Sequence, residues 1–438
     1  MSHQYYGNQG YPPPQGPPPQ QNQYVGPPPG QYGAPQGGYP PPQGAPYGHP
    51  PPGQYGAPPP QQPYGGQQPG YGQPPPPANQ GYYGQAGPGA PQHGGYGAPP
   101  GPPPGSYGQP PASGGYPAQP SLGYGQMPFV DCSYQAKEAR SAMKGMGTDE
   151  KRLIAALVNL DAAQINGVNE YFKKTLKRDL ESDIKSETSS YFEEGLVAIA
   201  RGPLVQDAHN LRNALKGLGT KEAVLNDVVL SRSNADLNAI KQIYPRLFQG
   251  ASVESDVKGD LSLKTERLFT MVLAARRNEE SAPVMPQQID QDVQELYRAT
   301  EGQRGADQIT VCSIFSNRSD GQLRAISQAY KQKYHRSLEE VIKKEFSGHM
   351  EDALLFMLNS ASDRAKHDAD QLEATMKGMG TKDSLLVQRL VRIHWDKQRM
   401  AQAKAAYKHF YKQDLARRVE GETSGDFKKL VVALVNSA

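Results

Sequence analysis

Hydrophobic residues recur along residues 131–438 with the spacing of amphipathic helices. Pairs of adjacent apolar residues repeat four positions later, which places them on one helical stripe. The clearest sets are Leu153, Ile154, Leu157 and Val158; Leu268, Phe269, Val272 and Leu273; and Leu430, Val431, Leu434 and Val435. No comparable strand alternation competes with this pattern, so we predict an all-α fold. Residues suited to helix N-caps stand at Thr148, Thr220, Thr381, Ser233 and Ser319.

Residues 1–130 have a different composition. They contain no Asp, Glu, Lys or Arg, and they hold 38 of the 42 prolines and 30 of the 47 glycines. A segment with so few aliphatic side chains cannot offset the entropy of folding, so we predict a disordered low-complexity tail. Its tyrosines, spaced by prolines, suit self-association or binding of a protein partner, and an inert spacer is the alternative.

The chain shows no segment for crossing a membrane. No apolar run reaches the length of a spanning helix, and the N-terminal region lacks the basic and apolar parts of a signal peptide. Cys132 and Cys312 provide no disulfide framework, which suits a reducing compartment. We therefore expect a cytoplasmic protein, neither secreted through a signal peptide nor transmembrane. A net charge of +3 is too small to favour binding to nucleic acid. No phosphate-loop or EF-hand motif occurs. We predict that the protein is not an enzyme.

A glycine loop, Lys-Gly-x-Gly-Thr, occurs at residues 144–148, 216–220 and 377–381. With a divergent copy, the second loop glycines are Gly147, Gly219, Gly305 and Gly380, at intervals of 72, 86 and 75 residues. Such a period suits units of about five short helices. The predicted segments are a tail at 1–130, repeats at 131–202, 203–276, 288–361 and 362–438, and a linker at 277–287. We expect the four repeats to form two pairs.

A carboxylate follows each loop glycine after 40 to 42 residues, and these acids are Glu187, Asp260, Glu345 and Glu422. Closely spaced glycines permit positive φ angles, so the loop carbonyls can turn outward. A distant acid can then complete the oxygen cage that a hard cation such as Ca²⁺ prefers. One isolated loop of this kind is typical of a helix C-cap followed by an N-cap. Three copies in phase with acids favour a calcium site.

This combination resembles the annexin family over all 308 residues from 131 to 438. The Lys-Gly-x-Gly-Thr loop with an acid about 40 positions later is that family's calcium signature, and Gly-Glu-Thr-Ser-Gly-Asp at 421–426 is similar to its second half. The Pro/Gly/Tyr-rich leader is similar to the tails of long-tailed annexins. The resemblance implies a curved disc of four five-helix repeats whose convex face binds acidic phospholipid through calcium.

The resemblance also implies a set of calcium ligands, namely three loop carbonyls and one acid in each repeat. These are Met143, Gly145 and Gly147 with Glu187; Leu215, Gly217 and Gly219 with Asp260; and Met376, Gly378 and Gly380 with Glu422. Repeat 3 lacks the lysine, the close glycine pair and the threonine, so the resemblance implies at most a weak site at Gly302, Gly305 and Glu345. The loop lysines Lys144, Lys216 and Lys377 are predicted to contact lipid, and simple solubilising charge is the alternative.

Such a site needs a membrane for a physical reason. Three carbonyls and one carboxylate offer at most about five of the six to eight oxygens that Ca²⁺ takes. A lipid phosphate can supply the missing oxygen and charge, so calcium and an acidic membrane should bind with positive coupling. We predict calcium-dependent binding to acidic phospholipid, with membrane organisation, bridging or trafficking as the role. The alternative is a helical-repeat scaffold or enzyme that keeps the glycine loops for helix packing only.

Three charged residues outside the loops, Asp227, Arg232 and Arg392, allow two interpretations. The resemblance suggests that they line a polar channel between the two pairs of repeats; the alternative is that they form buried ion pairs that stabilise the fold. Cys312 and Trp395 are predicted to be packed rather than reactive or lipid-inserted.

Overall fold

A computed structural model describes residues 118–437 except Met146, Gly217, Leu218 and Ser262. The predicted disordered tail falls almost entirely on residues 1–117, which lie outside the described residues. Within the described ranges all regular secondary structure is helical, which confirms the predicted all-α fold. None of the helices in these ranges combines the length and the apolar character needed to cross a bilayer.

The helices follow one another in four groups of five. The first two groups share a long helix and comprise α1 (Ser133–Ala142), α2 (Glu150–Leu157), α3 (Ala162–Tyr171), α4 (Leu180–Glu187), α5 (Ser190–Leu215), α6 (Glu222–Leu225), α7 (Asn234–Leu247), α8 (Val253–Asp260) and α9 (Leu263–Leu273). Two π-helical turns, Phe172–Leu176 and Asn226–Leu230, extend α3 and α6. The other two groups comprise α10 (Pro286–Ala299), α11 (Gln308–Asn317), α12 (Asp320–Tyr334), α13 (Leu338–Glu345), α14 (Gly348–Ser362), α15 (Arg364–Met376), α16 (Asp383–His394), α17 (Lys397–Tyr411), α18 (Leu415–Glu422) and α19 (Gly425–Asn436).

Helix α5 is kinked where repeats 1 and 2 meet. Gly202 adopts φ 71° and ψ 171°, outside the helical region, and Pro203 follows it. A positive φ is accessible to glycine at little cost, and proline lacks the N–H that a continuous helix would use. The last helix of repeat 1 and the first helix of repeat 2 are therefore consecutive in the chain and are separated by a sharp kink at Gly202.

The predicted apolar stripes lie in the core. All twelve residues of the three sets are at most 9% exposed, which confirms their assignment to buried helix faces. Cys312 is also buried, and burial raises the pKa of its thiol to about 11, which suits a packed residue. Trp395 is partly buried and packs against the apolar core.

The helix caps were predicted correctly at the serines and wrongly at the threonines. Ser233 and Ser319 accept hydrogen bonds from the backbone N–H groups of Asp236 and Gln322, as N-caps do. The helices after the glycine loops start one residue later than predicted, with Asp149, Lys221 and Lys382 at the N-cap positions. The loop threonines are therefore available for other contacts.

Two apolar clusters form the core, and each joins two repeats. One cluster unites side chains of α1 to the first half of α5 with those of α15 to α19, which pairs repeat 1 with repeat 4. The other runs from the second half of α5 to α14 and pairs repeat 2 with repeat 3. The linker therefore connects two partners of one cluster, where Asn278 N–H donates to Asn317 O at 2.8 Å and Arg277 binds Asp320.

Buried ion pairs connect the two clusters. Asp227 on the π-helical turn after α6 receives Arg389 Nε at 2.7 Å and Arg392 Nη2 at 3.3 Å, both from α16. All three side chains are at most 6% exposed. Of the two interpretations of Asp227 and Arg392, the geometry supports the buried ion pair. Arg232 pairs within its own cluster, with Asp207.

The folded body begins before residue 131, where composition alone ends the tail. Tyr124 is 4% exposed, its hydroxyl donates to Asp207, and the Arg232 guanidinium lies 5.0 Å from its ring centroid. Ser121 donates twice to the carboxylate of Asp236, from its N–H at 2.7 Å and its hydroxyl at 2.6 Å. These contacts hold the segment against repeat 2. A single tyrosine among many similar ones gave no sequence signal for this role.

Candidate metal and membrane site

The glycine loops adopt backbone conformations that require glycine. Gly145 and Gly147 have φ angles of 128° and 86°, and Gly378 and Gly380 have φ angles of 107° and 84°. Gly219 has a φ of 78°, whereas its predicted co-ligand Gly217 lies outside the described residues. A Cβ added at any of these five described glycines would meet no atom within 4 Å. Backbone conformation, and not tight packing, is therefore the reason for glycine here.

A backbone hydrogen bond closes each complete loop without using the predicted ligand carbonyls. The backbone N–H two residues after the second glycine donates to a carbonyl oxygen at the end of the preceding helix. The acceptor belongs to the last or the second-last residue of that helix. The pairs are Asp149 to Ala142 at 2.9 Å, Lys221 to Ala214 at 3.1 Å and Lys382 to Thr375 at 2.8 Å. In each case the acceptor directly precedes the predicted ligand, which is Met143, Leu215 or Met376.

The threonine hydroxyl connects each loop to its distant acid. Thr148 Oγ1 donates to the carbonyl of Glu187 at 2.9 Å, across 39 residues. In repeat 2 the hydroxyl of Thr220 donates to Asp260 Oδ2 at 2.5 Å, and in repeat 4 that of Thr381 donates to Glu422 Oε2 at 2.9 Å. The loop and the acid predicted to share a cation are thus adjacent in repeats 1, 2 and 4.

The three acids differ in how far their carboxylate oxygens are already engaged. Among the described residues, the Glu187 carboxylate has no hydrogen-bond or ion-pair partner. Asp260 accepts the threonine hydroxyl on one oxygen. Glu422 accepts Thr381 on one oxygen and forms an ion pair with Arg418 through the other. The site of repeat 1 is therefore the most open of the three.

The loop of repeat 3 keeps only part of this arrangement. Gly302 has no positive φ; its N–H donates to Tyr297 O at 2.8 Å. Ala306 replaces the threonine and has no hydroxyl to donate. Gly305 keeps a positive φ of 85°, so one of the two candidate glycines retains the loop geometry.

The acid of repeat 3 is engaged elsewhere. Glu345 is paired with Lys344, whose Nζ lies 3.0 Å from Glu345 Oε1. Without a threonine hydroxyl, repeat 3 also lacks the contact that joins loop and acid in the other repeats.

The loop lysines are exposed but not equivalent. Lys144 and Lys377 extend from the loops into solvent. Lys216 Nζ lies 2.9 Å from Asp256 Oδ1, and Asp256 also binds Arg212. An ion-paired lysine is less available to a lipid headgroup, so Lys144 and Lys377 are the better candidates for lipid contact.

Sequence reasoning missed an apolar side chain at the tip of a loop. Met379 stands between the two glycines of repeat 4 and is fully exposed, at 106% relative to its reference value. Its equivalents Met146 and Leu218 lie outside the described residues. The repeat 3 residue that precedes Gly305 is Arg304. An apolar residue flanked by glycines in a polar loop was the signal that could have identified it.

The sites of repeats 1 and 4 open onto one groove. This groove of about 450 Å³ is lined by Glu187 and its neighbours Thr188 and Ser189, and by the matching residues Glu422, Thr423 and Ser424. Tyr191 and Phe427 also line it and are in tilted ring contact, with centroids 5.6 Å apart. The acids of repeats 1 and 4 therefore line the same groove.

The donor set suits a hard cation. No cluster of three or more His, Cys, Asp or Glu side chains with metal-binding geometry occurs in the part of the chain that the structure describes. Each candidate site instead offers a single carboxylate beside backbone carbonyls. Oxygen-only donors of this kind fit Ca²⁺ and do not fit the softer transition metals.

Comparison with known proteins agrees with the repeat architecture. The annexin family model matches residues 134–199, 206–272, 291–357 and 367–434, together more than half of the chain. The chain belongs to the annexin family. The predicted family and its four repeats are thereby confirmed.

Individual annexins show the same relationship. Annexin C1 of Cryptococcus neoformans var. grubii is 40% identical over 72% of this chain and 67% of its own length. The solved structure of annexin III, 27% identical, covers 73% of this chain and 97% of its own, with a TM-score of 0.66. Calcium-bound annexin (Sm)1, 25% identical, covers 72% of this chain and 92% of its own, with a TM-score of 0.62.

Proposed function

We propose that this annexin binds acidic phospholipid membranes through calcium ions held by the loops of repeats 1, 2 and 4. The observation that carries the proposal is the threonine contact that joins loop and acid in these three repeats. Annexins are known for calcium-dependent phospholipid binding, and annexin (Sm)1 has been solved with calcium bound. Repeat 3 lacks the contact and most of the loop shape, so we assign it no more than weak binding.

Each site supplies part of a coordination shell. The ligands would be the carbonyls of Met143, Gly145 and Gly147 with Glu187, and their counterparts in repeats 2 and 4. These groups give at most about five oxygens and one negative charge, whereas Ca²⁺ takes six to eight oxygens. A lipid phosphate completes both the shell and the charge, which couples calcium binding to membrane binding.

The surroundings of the loops support a membrane as the partner. Met379 projects a full apolar side chain from its loop, which can enter the headgroup region. Lys144 and Lys377 add attraction to an anionic leaflet, worth roughly 1 kcal/mol each. The shared groove lets repeats 1 and 4 engage the same surface. Ionic and apolar contacts are therefore both available to a peripheral membrane protein.

The wider role follows from these features. We propose a non-enzymatic, peripheral membrane protein of the cytoplasm that organises, bridges or helps to move membranes when calcium rises. The tail predicted at 1–130 would mediate self-association or bind a protein partner. No role in binding nucleic acid is proposed.

Sedimentation with phosphatidylserine vesicles tests the central claim. The full chain should pellet with vesicles in calcium and return to the supernatant when a chelator is added. Replacing Glu187 and Glu422 together by Gln should sharply raise the calcium needed, because two of the three complete sites lose their only charged ligand. If the wild-type chain ignores millimolar calcium, the proposed function fails.

Deleting the tail tests the second part of the proposal. The deletion should remove residues 1–117 and keep Ser121 and Tyr124, because these residues pack against repeat 2. The shortened chain should still bind vesicles but aggregate them less. Equal vesicle aggregation would identify the tail as an inert spacer.

A further inference from the structure

Repeat 4 carries a reversed ion pair beside its candidate calcium site. In repeats 1 and 2 the first helix supplies an arginine and the fourth helix an aspartate, whereas repeat 4 has glutamate on the first helix and arginine on the fourth. The pairs are Arg140 with Asp183 at 3.4 Å, Arg212 with Asp256 at 2.6 Å, and Glu373 with Arg418 at 3.4 Å. The reversal therefore moves a cation from α15 to α18.

This cation lies within the predicted coordination shell. Arg418 precedes Glu422 by one helical turn, so both side chains lie on the same face of α18. Its Nη1 forms an ion pair with Glu422 Oε1, and its Nη2 donates to the carbonyl of Met376 at 2.7 Å. One guanidinium thus contacts two of the four groups predicted to hold calcium in repeat 4.

The remaining contacts complete the engagement of Glu422. Its second oxygen accepts the hydroxyl of Thr381 at 2.9 Å. In the matching site of repeat 1, the position four residues before Glu187 is Asp183, which is paired with Arg140 and Arg178. No cation is within ion-pair distance of the Glu187 carboxylate among the described residues.

We infer that Arg418 is an internal cation that competes with calcium for the site of repeat 4; this inference rests on the proposed function. Calcium binding there requires the guanidinium to release Met376 O and Glu422, two charge-assisted contacts of which the second is also an ion pair. Glu373 offers the released guanidinium a partner, since its carboxylate already lies 3.4 Å from Arg418 Nε and is held by the Tyr407 hydroxyl. Among the described residues, no cation contacts the acid of repeat 1, because Arg178 is paired with Asp183 and acts on Glu187 only from beyond ion-pair distance. Repeat 1 therefore fills at lower calcium. Repeat 4 then acts as the site of higher threshold.

The test isolates repeat 4 in the full-length chain. Glu187→Gln, Asp260→Asn and Glu345→Gln remove the acids of the other repeats, and Arg418→Gln is added to this background. Bound calcium is measured by equilibrium dialysis with radioactive calcium in the presence of phosphatidylserine–phosphatidylcholine vesicles, together with the calcium needed for half-maximal sedimentation. Arg418→Gln should lower the dissociation constant for calcium and the calcium needed for half-maximal sedimentation by about tenfold each, the effect of losing one charge-assisted hydrogen bond.

Two further variants make the result specific. Arg417→Gln removes the same charge from the preceding residue of α18, which is exposed and has no side-chain partner among the described residues, and it should leave the calcium requirement nearly unchanged. The exchange Glu373→Arg with Arg418→Asp restores an ion pair in the orientation of repeats 1 and 2. It should lower the calcium requirement as Arg418→Gln does, and it carries the test if the single variant does not fold.

The possible outcomes separate the two claims. A calcium requirement that stays the same or rises in Arg418→Gln and in the exchanged pair would overturn the inference, as would an equal decrease in Arg417→Gln. Failure of the wild-type chain to bind vesicles in calcium would instead overturn the proposed function. A selective decrease at Arg418 supports the internal competitor.

Discussion

The contact between Thr148 and Glu187 offers a direct test of how the candidate site is assembled. Thr148→Val keeps the shape of the side chain and removes the hydroxyl that donates to Glu187 O at 2.9 Å. Because Thr148 is partly buried, water can replace only part of the lost hydrogen bond to the Glu187 carbonyl in the variant. A neutral hydrogen bond of this kind contributes about 1 kcal/mol to the free energy of unfolding.

The same contact fixes where the acid stands relative to the loop. If all of that free energy also holds the site together, its loss weakens calcium binding in repeat 1 by about fivefold, since about 1.4 kcal/mol corresponds to a tenfold change. Removing the charged ligand itself, in Glu187→Gln, should have a larger effect. Thr148→Ser keeps the hydroxyl and should be close to wild type. The calcium requirement should therefore be highest for Glu187→Gln, lower for Thr148→Val and lowest for Thr148→Ser.

The assay needs a background in which repeat 1 dominates. Asp260→Asn and Glu422→Gln provide it, and vesicle sedimentation over a calcium series gives the midpoint for each variant. Urea unfolding without calcium gives the change in stability separately. If Thr148→Val lowers stability but leaves the calcium midpoint unchanged, the contact is structural only, and its proposed role in assembling the site is refuted.

Three other measurements follow from the structure. Asp227→Asn leaves the buried guanidinium groups of Arg389 and Arg392 without their anion. It should lower the free energy of unfolding by about 3 to 5 kcal/mol. A loss below about 1 kcal/mol in urea unfolding would contradict this expectation. Met379→Ser should weaken vesicle binding at fixed calcium by roughly fivefold, because an apolar side chain that enters the membrane is lost. The free energy of unfolding should stay unchanged, because this fully exposed residue has no packing to lose. An unaltered vesicle affinity would exclude insertion. Burial lowers the pKa of His367 to about 4, below the value of about 6.5 in an unfolded chain. Between these two pH values the unfolded state binds more protons, so the free energy of unfolding should fall by up to about 1.4 kcal/mol per pH unit as the pH drops. His367→Leu should flatten that dependence, and identical pH slopes would show that this histidine does not contribute.

The helical repeats were predictable from the amino-acid pattern alone, and the family resemblance supplied the candidate ligands. Apolar stripes at helical spacing encode which helix faces are buried, because burial depends mainly on local periodicity. The glycine pairs of repeats 1 and 4 adopt positive φ because a local backbone property requires glycine. The phase between each loop and its acid also showed in the sequence, because the same short fold repeats four times. Divergence in repeat 3 was visible for the same reason.

Which groups meet depends on the packing of the helices in space. Repeat 1 pairs with repeat 4 across the whole chain, which no local pattern encodes. The threonines looked like N-caps because N-capping is the commonest local use of a hydroxyl before a helix, yet their hydroxyls reach the distant acids. Tyr124 and Arg418 also owe their roles to partners far away in sequence, on α5 and α15. Contacts between residues many positions apart depend on how helices pack in space, and only the folded chain fixes that packing.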